Sequence, residues 1–313
     1  MRPEILLIEP MMAPIEASFD ENYKVHRLFE VRDRAAFLRN AAPRVRAIVT
    51  GGATGASNDL VDGLPALEII AINGIGTDAV DLARARARKI RVTTTPDVLT
   101  DDVADLGMGL LIAAARQLCA GDRFVRAGRW VKREGLPLAR KVSGRKLGIL
   151  GMGRIGRAIA RRAHGFDLRI SYTDIRAFDD LDHRYEPDLE ALARDSDFLV
   201  VAAAGGPHSR GLVGASVLNA LGPEGILVNV ARGSVIDEEA LVAALVEGRL
   251  GGAGLDVFVD EPNVPEALWT LDNVVLQPHR ASATVETRIA MGELVLANLA
   301  AHFAGQEPKT PIV

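Results

Sequence analysis

The sequence predicts an α/β protein made of two doubly wound parallel-sheet domains with a cleft between them. Three observations carry that expectation. An apolar stretch at Leu147, Ile149 and Leu150 runs into Gly151-Met152-Gly153-Arg154-Ile155-Gly156. Good helix formers fill 157–163, and a second apolar stretch over 168–172 ends at Asp174. Strand, glycine turn, helix, strand and acid in that order are the parts of a dinucleotide-binding unit. Second, Leu67-Glu-Ile-Ile-Ala-Ile72 is an apolar run of the kind found in parallel sheets covered on both faces. Third, 313 residues with 48% hydrophobic content can bury a large core, and that length suits two domains better than one.

Residues 1–98 read as a small α/β domain. The N-terminus through Ile8 reads as a short first strand, with no signal-peptide core or cleavage site. Val31–Asn40 reads as a helix. Val45–Thr50 is a strand running into Gly51-Gly-Ala-Thr-Gly55, and a helix begins at Ser57. The apolar strand 67–72 ends in Asn73-Gly-Ile75-Gly76-Thr-Asp78. Ligands of open parallel sheets bind beyond the carboxyl ends of strands, so both glycine loops are either binding loops or plain turns. Asp78–Leu82 starts a short helix, Arg91–Thr95 is a strand, and Pro96-Asp97 marks a boundary.

Residues 99–284 read as the nucleotide-binding domain. Thr100–Ala127 is expected to be one long helix, with Asp101, Asp102 and Asp105 suiting its positive end. The loop 128–143 carries Trp130, either a core residue or an interface anchor. After Asp174 come a helix at 188–193, a strand at 198–202, a loop at Gly205-Gly206-Pro207 and a short helix at 216–220. A strand at 225–230 follows, then a helix at 237–247 and strands at 254–258 and 273–276. Thr284–Ala304 is a long helix expected to return to the first domain, so that 285–313 complete it.

The formal charge of −4 favours neither nucleic acid nor an anionic membrane as partner. No apolar run approaches the length that spans a bilayer. A single cysteine, Cys119, rules out an internal disulfide and makes a reducing cytoplasm the simplest location. It reads as a small core residue rather than a nucleophile. No metal-ligand spacing is present.

Each part of the glycine motif has a physical task. Gly151 permits a sharp turn, Gly153 lets backbone N–H groups approach a pyrophosphate, and Gly156 lets the helix pack closely on its strand. Arg154 and Ile155 open the helix, whose free N–H groups and partial positive charge favour that pyrophosphate. Asp174 is placed to accept hydrogen bonds from the ribose hydroxyls of NAD.

Arg232, Glu261 and His279 fall just past the ends of successive strands, on the edge where a cofactor would sit. Beside a nicotinamide, the Arg can clamp a 2-keto acid's carboxylate and polarise its carbonyl. The imidazole can donate the proton that quenches the alkoxide, and the Glu can orient it and favour its protonated form. Ala231 and Asp256 lie at the same strand ends as candidate cofactor contacts; Asp256 either takes the nicotinamide carboxamide or caps a turn.

Gly151–Gly156, Val228-Asn-Val-Ala-Arg-Gly-Ser-Val-Ile-Asp237, Gly254-Leu-Asp-Val-Phe-Val-Asp-Glu-Pro262 and Gln277-Pro-His279 together resemble the signatures of the D-2-hydroxyacid dehydrogenases, over nearly the whole chain. The resemblance implies flavodoxin/Rossmann-like domains, a discontinuous first domain, a homodimer, and catalytic roles for Arg232, Glu261 and His279. It also implies substrate carboxylate binding by backbone N–H groups at Ile75 and Gly76. The stretch from Thr95 to Asp105 and the Gly205–Pro207 loop look most like the glyoxylate/hydroxypyruvate and hydroxyphenylpyruvate reductases. In that branch a Trp matching Trp130 reaches a partner's site. The branch often has Ser-Arg or Asn-Arg where Asp174-Ile175 stands here, and Ala204 stands where a proline is common. A carboxylate repels a 2′-phosphate, so NAD is expected, with Arg176 leaving NADP possible. The expected substrate is glyoxylate or hydroxypyruvate. The rivals are an aromatic or sugar-derived 2-keto acid and a non-catalytic NAD-sensing, corepressor-like protein.

Overall fold

A computed structural model describes residues 2–313; Met1, part of the expected first strand and domain, lies outside them. The chain divides into two compact units, Met1–Leu99 with Ser282–Val313, and Thr100–Ala281.

The first unit holds five parallel strands, β1 (Glu4–Leu7), β2 (Lys24–Arg27), β3 (Val45–Gly51), β4 (Ile69–Asn73) and β5 (Arg91–Thr93), in the order β2-β1-β3-β4-β5. Helices α1 (Ala13–Asn22), α2 (Arg34–Ala41), α3 (Asn58–Asp62) and α4 (Leu82–Ala87) connect them. Strand side chains alternate between faces, so each face has its own core. Leu6, Ile48, Ile70 and Val92 pack on one side. Ile5, Leu7, Val49, Ile69 and Ala71 pack on the other, against Phe19 of α1 and Val295 and Leu299 of the C-terminal helix Val285–Phe303. Each of these Val, Leu and Ile side chains, taken wholly out of water, contributes about 1.5–3 kcal/mol. The helix starts follow local capping chemistry. Asp33, Ser57, Asp81 and Thr284 each accept a hydrogen bond from a backbone N–H in the first turn.

The second unit opens with α5 (Thr100–Ala115) and α6 (Leu118–Arg126), then builds a seven-stranded parallel sheet. Its strands are β6 (Lys146–Leu150), β7 (Arg169–Thr173), β8 (Arg184–Tyr185), β9 (Phe198–Val201), β10 (Ile226–Asn229), β11 (Gly252–Leu255) and β12 (Val274–Leu276). Their order is β12-β11-β10-β9-β6-β7-β8. Helices α7 (Arg154–Ala163), α8 (Leu189–Arg194), α9 (Ala215–Leu221) and α10 (Glu238–Val246) are the crossovers. Both units are doubly wound α/β sheets, and in both the strand carboxyl ends share one edge.

Several elements differ from expectation. The helix expected over Thr100–Ala127 is two helices, because Gln117 takes a left-handed conformation (φ 53°) and the axes bend by 59°. Asp101 and Asp105 do more than suit a helix end: they pair with Arg161 and Arg162 of α7. The helix expected from Val31 starts at Arg34, behind its Asp33 cap. Cys119 is half-buried on α6 rather than a core residue. Two elements went unread. Helix α1 has a proline in its first turn and buried Ile15 and Phe19 one turn apart, whereas β2 is an edge strand with little apolar content. Among the described residues no single helix is long and apolar enough to cross a membrane; α5 and α6 pass on length and composition only as a bent pair.

Candidate active site

The glycine turn joins β6 to α7. Gly151 has φ 93°, and a Cβ there would lie 2.5 Å from the backbone nitrogen of Ala203, so this position is closed to other residues. A Cβ on Gly156 would collide with the carbonyl of Gly151. Gly153 is different: a Cβ would meet nothing within 4 Å, and as the residue before α7 it places no side chain over the helix N-terminus. Open space in front of uncapped N–H groups fits a pyrophosphate. Arg154 is exposed and Ile155 half-buried in the first turn.

Asp174 follows β7 on the same edge. Its Oδ2 accepts from the backbone N–H of Met152 at 2.7 Å, and its Oδ1 from that of Ile175 at 2.7 Å. The carboxylate therefore braces the glycine turn. Each oxygen keeps a second lone pair for a ribose hydroxyl. Ile175 and Arg176 are exposed, and the Arg176 guanidinium lies 5.6 Å from the centre of the Phe178 ring.

Arg232, Glu261 and His279 follow β10, β11 and β12, three neighbouring strands. Nδ1 of His279 and Oε2 of Glu261 are 2.6 Å apart. The other carboxylate oxygen of Glu261 accepts from the N–H of Phe258 at 3.0 Å. Burial pushes the Glu261 carboxyl up. The hydrogen bonds from His279 and Phe258 and the charges of His279 and Arg232 outweigh burial and leave it below the usual carboxylate range. Arg232 is half-buried, and its guanidinium donates to the carbonyl of Ala231 at 2.6 Å. Asn229 holds this loop from below, accepting from the N–H of Ala231 at 3.0 Å and donating to the carbonyl of Arg232 at 3.0 Å. Gly233 lets the loop lie directly on the next one, since a Cβ there would collide with the backbone of Phe258.

His279 has φ 47°, a left-handed conformation that few non-glycine residues adopt. Asp256 holds it there. The N–H of His279 donates to the Asp256 carbonyl at 2.8 Å, and the N–H groups of Arg280 and Ala281 donate to the two Asp256 side-chain oxygens at 2.8 and 3.0 Å. The Asp256 side chain is buried, which raises its carboxyl pKa against the lowering by those two N–H groups. Both Asp256 oxygens thus cap the turn, and each keeps a second lone pair for the expected nicotinamide carboxamide contact. That grip went unread in the sequence. The Asp-to-His spacing gives no sign that the chain returns to Asp256.

Trp130 is 70% exposed, which removes the core reading for it. Ile75 is exposed and Gly76 half-buried in the loop after β4 of the first unit.

Residues 108–281 match the family model described as "D-isomer specific 2-hydroxyacid dehydrogenase, NAD binding domain". A 2-ketogluconate reductase of Gluconobacter oxydans is 44% identical, with 100% of this chain and 99% of that protein covered. A hydroxyphenylpyruvate reductase of Plectranthus scutellarioides is 46% identical, with 99% and 98% covered. Among solved structures, the NADPH-dependent glyoxylate/hydroxypyruvate reductase of Sinorhizobium meliloti, in complex with NADP and malonate, superposes with a TM-score of 0.93. It is 44% identical, with 100% of this chain and 97% of that one covered. The chain belongs to the D-isomer specific 2-hydroxyacid dehydrogenase family. It is an NAD(P)-dependent oxidoreductase of that class, acting on 2-keto or 2-hydroxy acids.

Proposed function

We propose that the chain reduces a small 2-keto acid, hydroxypyruvate or glyoxylate first, to the D-2-hydroxy acid. The observation that carries this reading is the 2.6 Å contact between His279 Nδ1 and Glu261 Oε2, on the sheet edge that also bears Arg232. When bound, the dihydronicotinamide supplies a hydride to the carbonyl carbon. Arg232 clamps the substrate and polarises its carbonyl, stabilising the charge that grows on oxygen. Glu261 engages Nδ1, so the protonated ring presents its Nε2–H to the forming alkoxide. That proton closes the reaction to a hydroxyl, and the neutral ring is reprotonated from solvent. Asp256 fixes the backbone that aims the ring.

Gly151, Gly153, Arg154, Ile155, Gly156, Ala231, Asp174 and Asp256 are the cofactor contacts in this account. NAD is preferred because a carboxylate at 174 repels a 2′-phosphate, and Arg176 keeps NADP possible. The N–H groups of Ile75 and Gly76 receive the substrate carboxylate. In this reading residues 1–98 with 285–313 bind the substrate and 99–284 the dinucleotide, and the protein works as a cytoplasmic homodimer with Trp130 at its interface. A longer, sugar-derived keto acid is the second reading, favoured by the 2-ketogluconate reductase relative. A pure nucleotide sensor has no need of an acid–imidazole pair.

The test is consumption of NADH and of NADPH with glyoxylate, hydroxypyruvate and 2-ketogluconate in turn. Turnover of at least one, lost in His279→Ala, is expected. No turnover with any keto acid and either cofactor overturns the reading.

A further inference from the structure

The first unit carries a polar strip that its fold does not require. On the face lined by Ile5, Leu7, Val49, Ile69 and Ala71, alternation makes the next residues toward the carboxyl edge Glu9, Gly51 and Asn73; Thr93 stands across from Ala71, and the N–H of Thr95 donates to the carbonyl of Gly74. Three polar atoms there are buried and have no hydrogen-bond partner: Oδ1 of Asn73 and Oγ1 of Thr93 and Thr95. Burying an unpaired polar atom is costly, and an apolar residue at 73 would continue the strip without that cost. Glu9 is half-buried and lies over Gly51, where a Cβ would collide with its carboxyl. The hydroxyl of Thr54, in the first glycine loop, donates to Glu9 and orients it. Gly51 and Asn73 are register partners, so Glu9 and Asn73 face the same short stretch of sheet edge, immediately before Ile75 and Gly76.

We propose that Glu9 and Asn73 form a hydroxyl-recognising subsite, so that the preferred substrate is a 2-keto acid with hydroxyl groups beyond its keto carbon. This rests on the reading above, in which the carboxylate sits on the Ile75–Gly76 loop. A carboxylate accepts from a hydroxyl and repels a second acid group, which disfavours dicarboxylic keto acids. It also offers nothing to an aromatic ring. The Asn73 amide can both donate to and accept from a hydroxyl.

Hydroxypyruvate and pyruvate differ by one hydroxyl, and their comparison on the unaltered protein is the first arm of the test. A kcat/KM at least about tenfold higher for hydroxypyruvate is expected, the worth of one well-placed hydrogen bond. The second arm repeats the comparison on Glu9→Met and Asn73→Leu, near-isosteric changes. Each is expected to cut the hydroxypyruvate-to-pyruvate ratio by about fivefold or more. Because the ratio is internal to each variant, partial loss of folded protein does not alter it. Equal kcat/KM for the two acids on the unaltered protein overturns the subsite while leaving the reductase reading intact, as does a ratio unmoved in both variants. Failure to reduce any keto acid overturns the reductase reading itself.

Discussion

His279 is held from two sides, by Glu261 at its ring and Asp256 at its backbone, and the two supports predict separable defects. Glu261→Gln removes the carboxylate that engages Nδ1 but keeps the shape, so kcat for reduction should fall about 10–100-fold, with a small loss of stability near neutral pH from this partly exposed pair. The sign of the acid dependence follows from the lowered Glu261 carboxyl. A group depressed on folding adds stability above its unfolded pKa and loses it as pH falls through the lower folded value. The Glu261–His279 pair should thus survive acidification past the ordinary glutamate range of about 4.3. An acid limb of kcat above that range would contradict this. Asp256→Asn should act differently. An amide can accept from only one of the N–H groups of Arg280 and Ala281 and sets its own donors against the other. A loss of about 1–3 kcal/mol by denaturant unfolding is expected, together with reduced kcat. At this scale the sequence was only partly readable. The ends of three strands located Arg232, Glu261 and His279. The left-handed backbone at His279 is a long-range effect of Asp256 and leaves no local pattern.

At the scale of elements, the strand–turn–helix around Gly151 separates fold from ligand binding. Gly151→Ala puts a side chain at φ 93° and into the Ala203 backbone, so it should destabilise by about 2 kcal/mol or more. Gly153→Ala meets open space. It should leave the melting temperature within a few degrees while weakening NADH binding about tenfold or more, as read by fluorescence titration. Equal effects of the two substitutions on stability would mean that the glycines share one structural task. The strands and helices around this turn were legible because period and caps agree: β6 and β9 are short aliphatic runs, and α10 starts on Asp237. The break between α5 and α6 was not, because Ala, Leu and Arg on both sides favour helix and nothing there forces Gln117 into its left-handed turn. Strand β2 escaped for the opposite reason. Its residues Lys24, Val25, His26 and Arg27 carry one apolar side chain, and the strand exists because β1 offers a free edge.

At the scale of the whole molecule, acid stability and assembly can be tested. Glu4, buried at the start of β1, takes hydrogen bonds from Lys24, His26 and Arg44, on β2 and just before β3. Burial alone would raise its pKa, but those bonds and the Arg44 charge hold it at about 2 against an ordinary 4.5. Its contribution is therefore complete above about pH 4.5 and lost as pH falls toward 2. Lys24 and Arg44 are half-exposed and screened, which reduces the contribution to about 1–2 kcal/mol. Glu4→Gln should lower stability by that amount at pH 7 and by almost nothing at pH 2.

In solution, light scattering should give about twice the 33.4 kDa chain mass, and Trp130→Glu should shift it toward the single chain. A single-chain mass for the unaltered protein would remove the dimer from the account. The measurement that bears most directly on the central claim is the rate of NADH disappearance with hydroxypyruvate, for the unaltered protein and for His279→Ala at matched NADH occupancy. The account predicts turnover by the first and a loss of at least about 100-fold in the second, with NADH affinity kept. A His279→Ala protein that still reduces hydroxypyruvate at close to the full rate would contradict it.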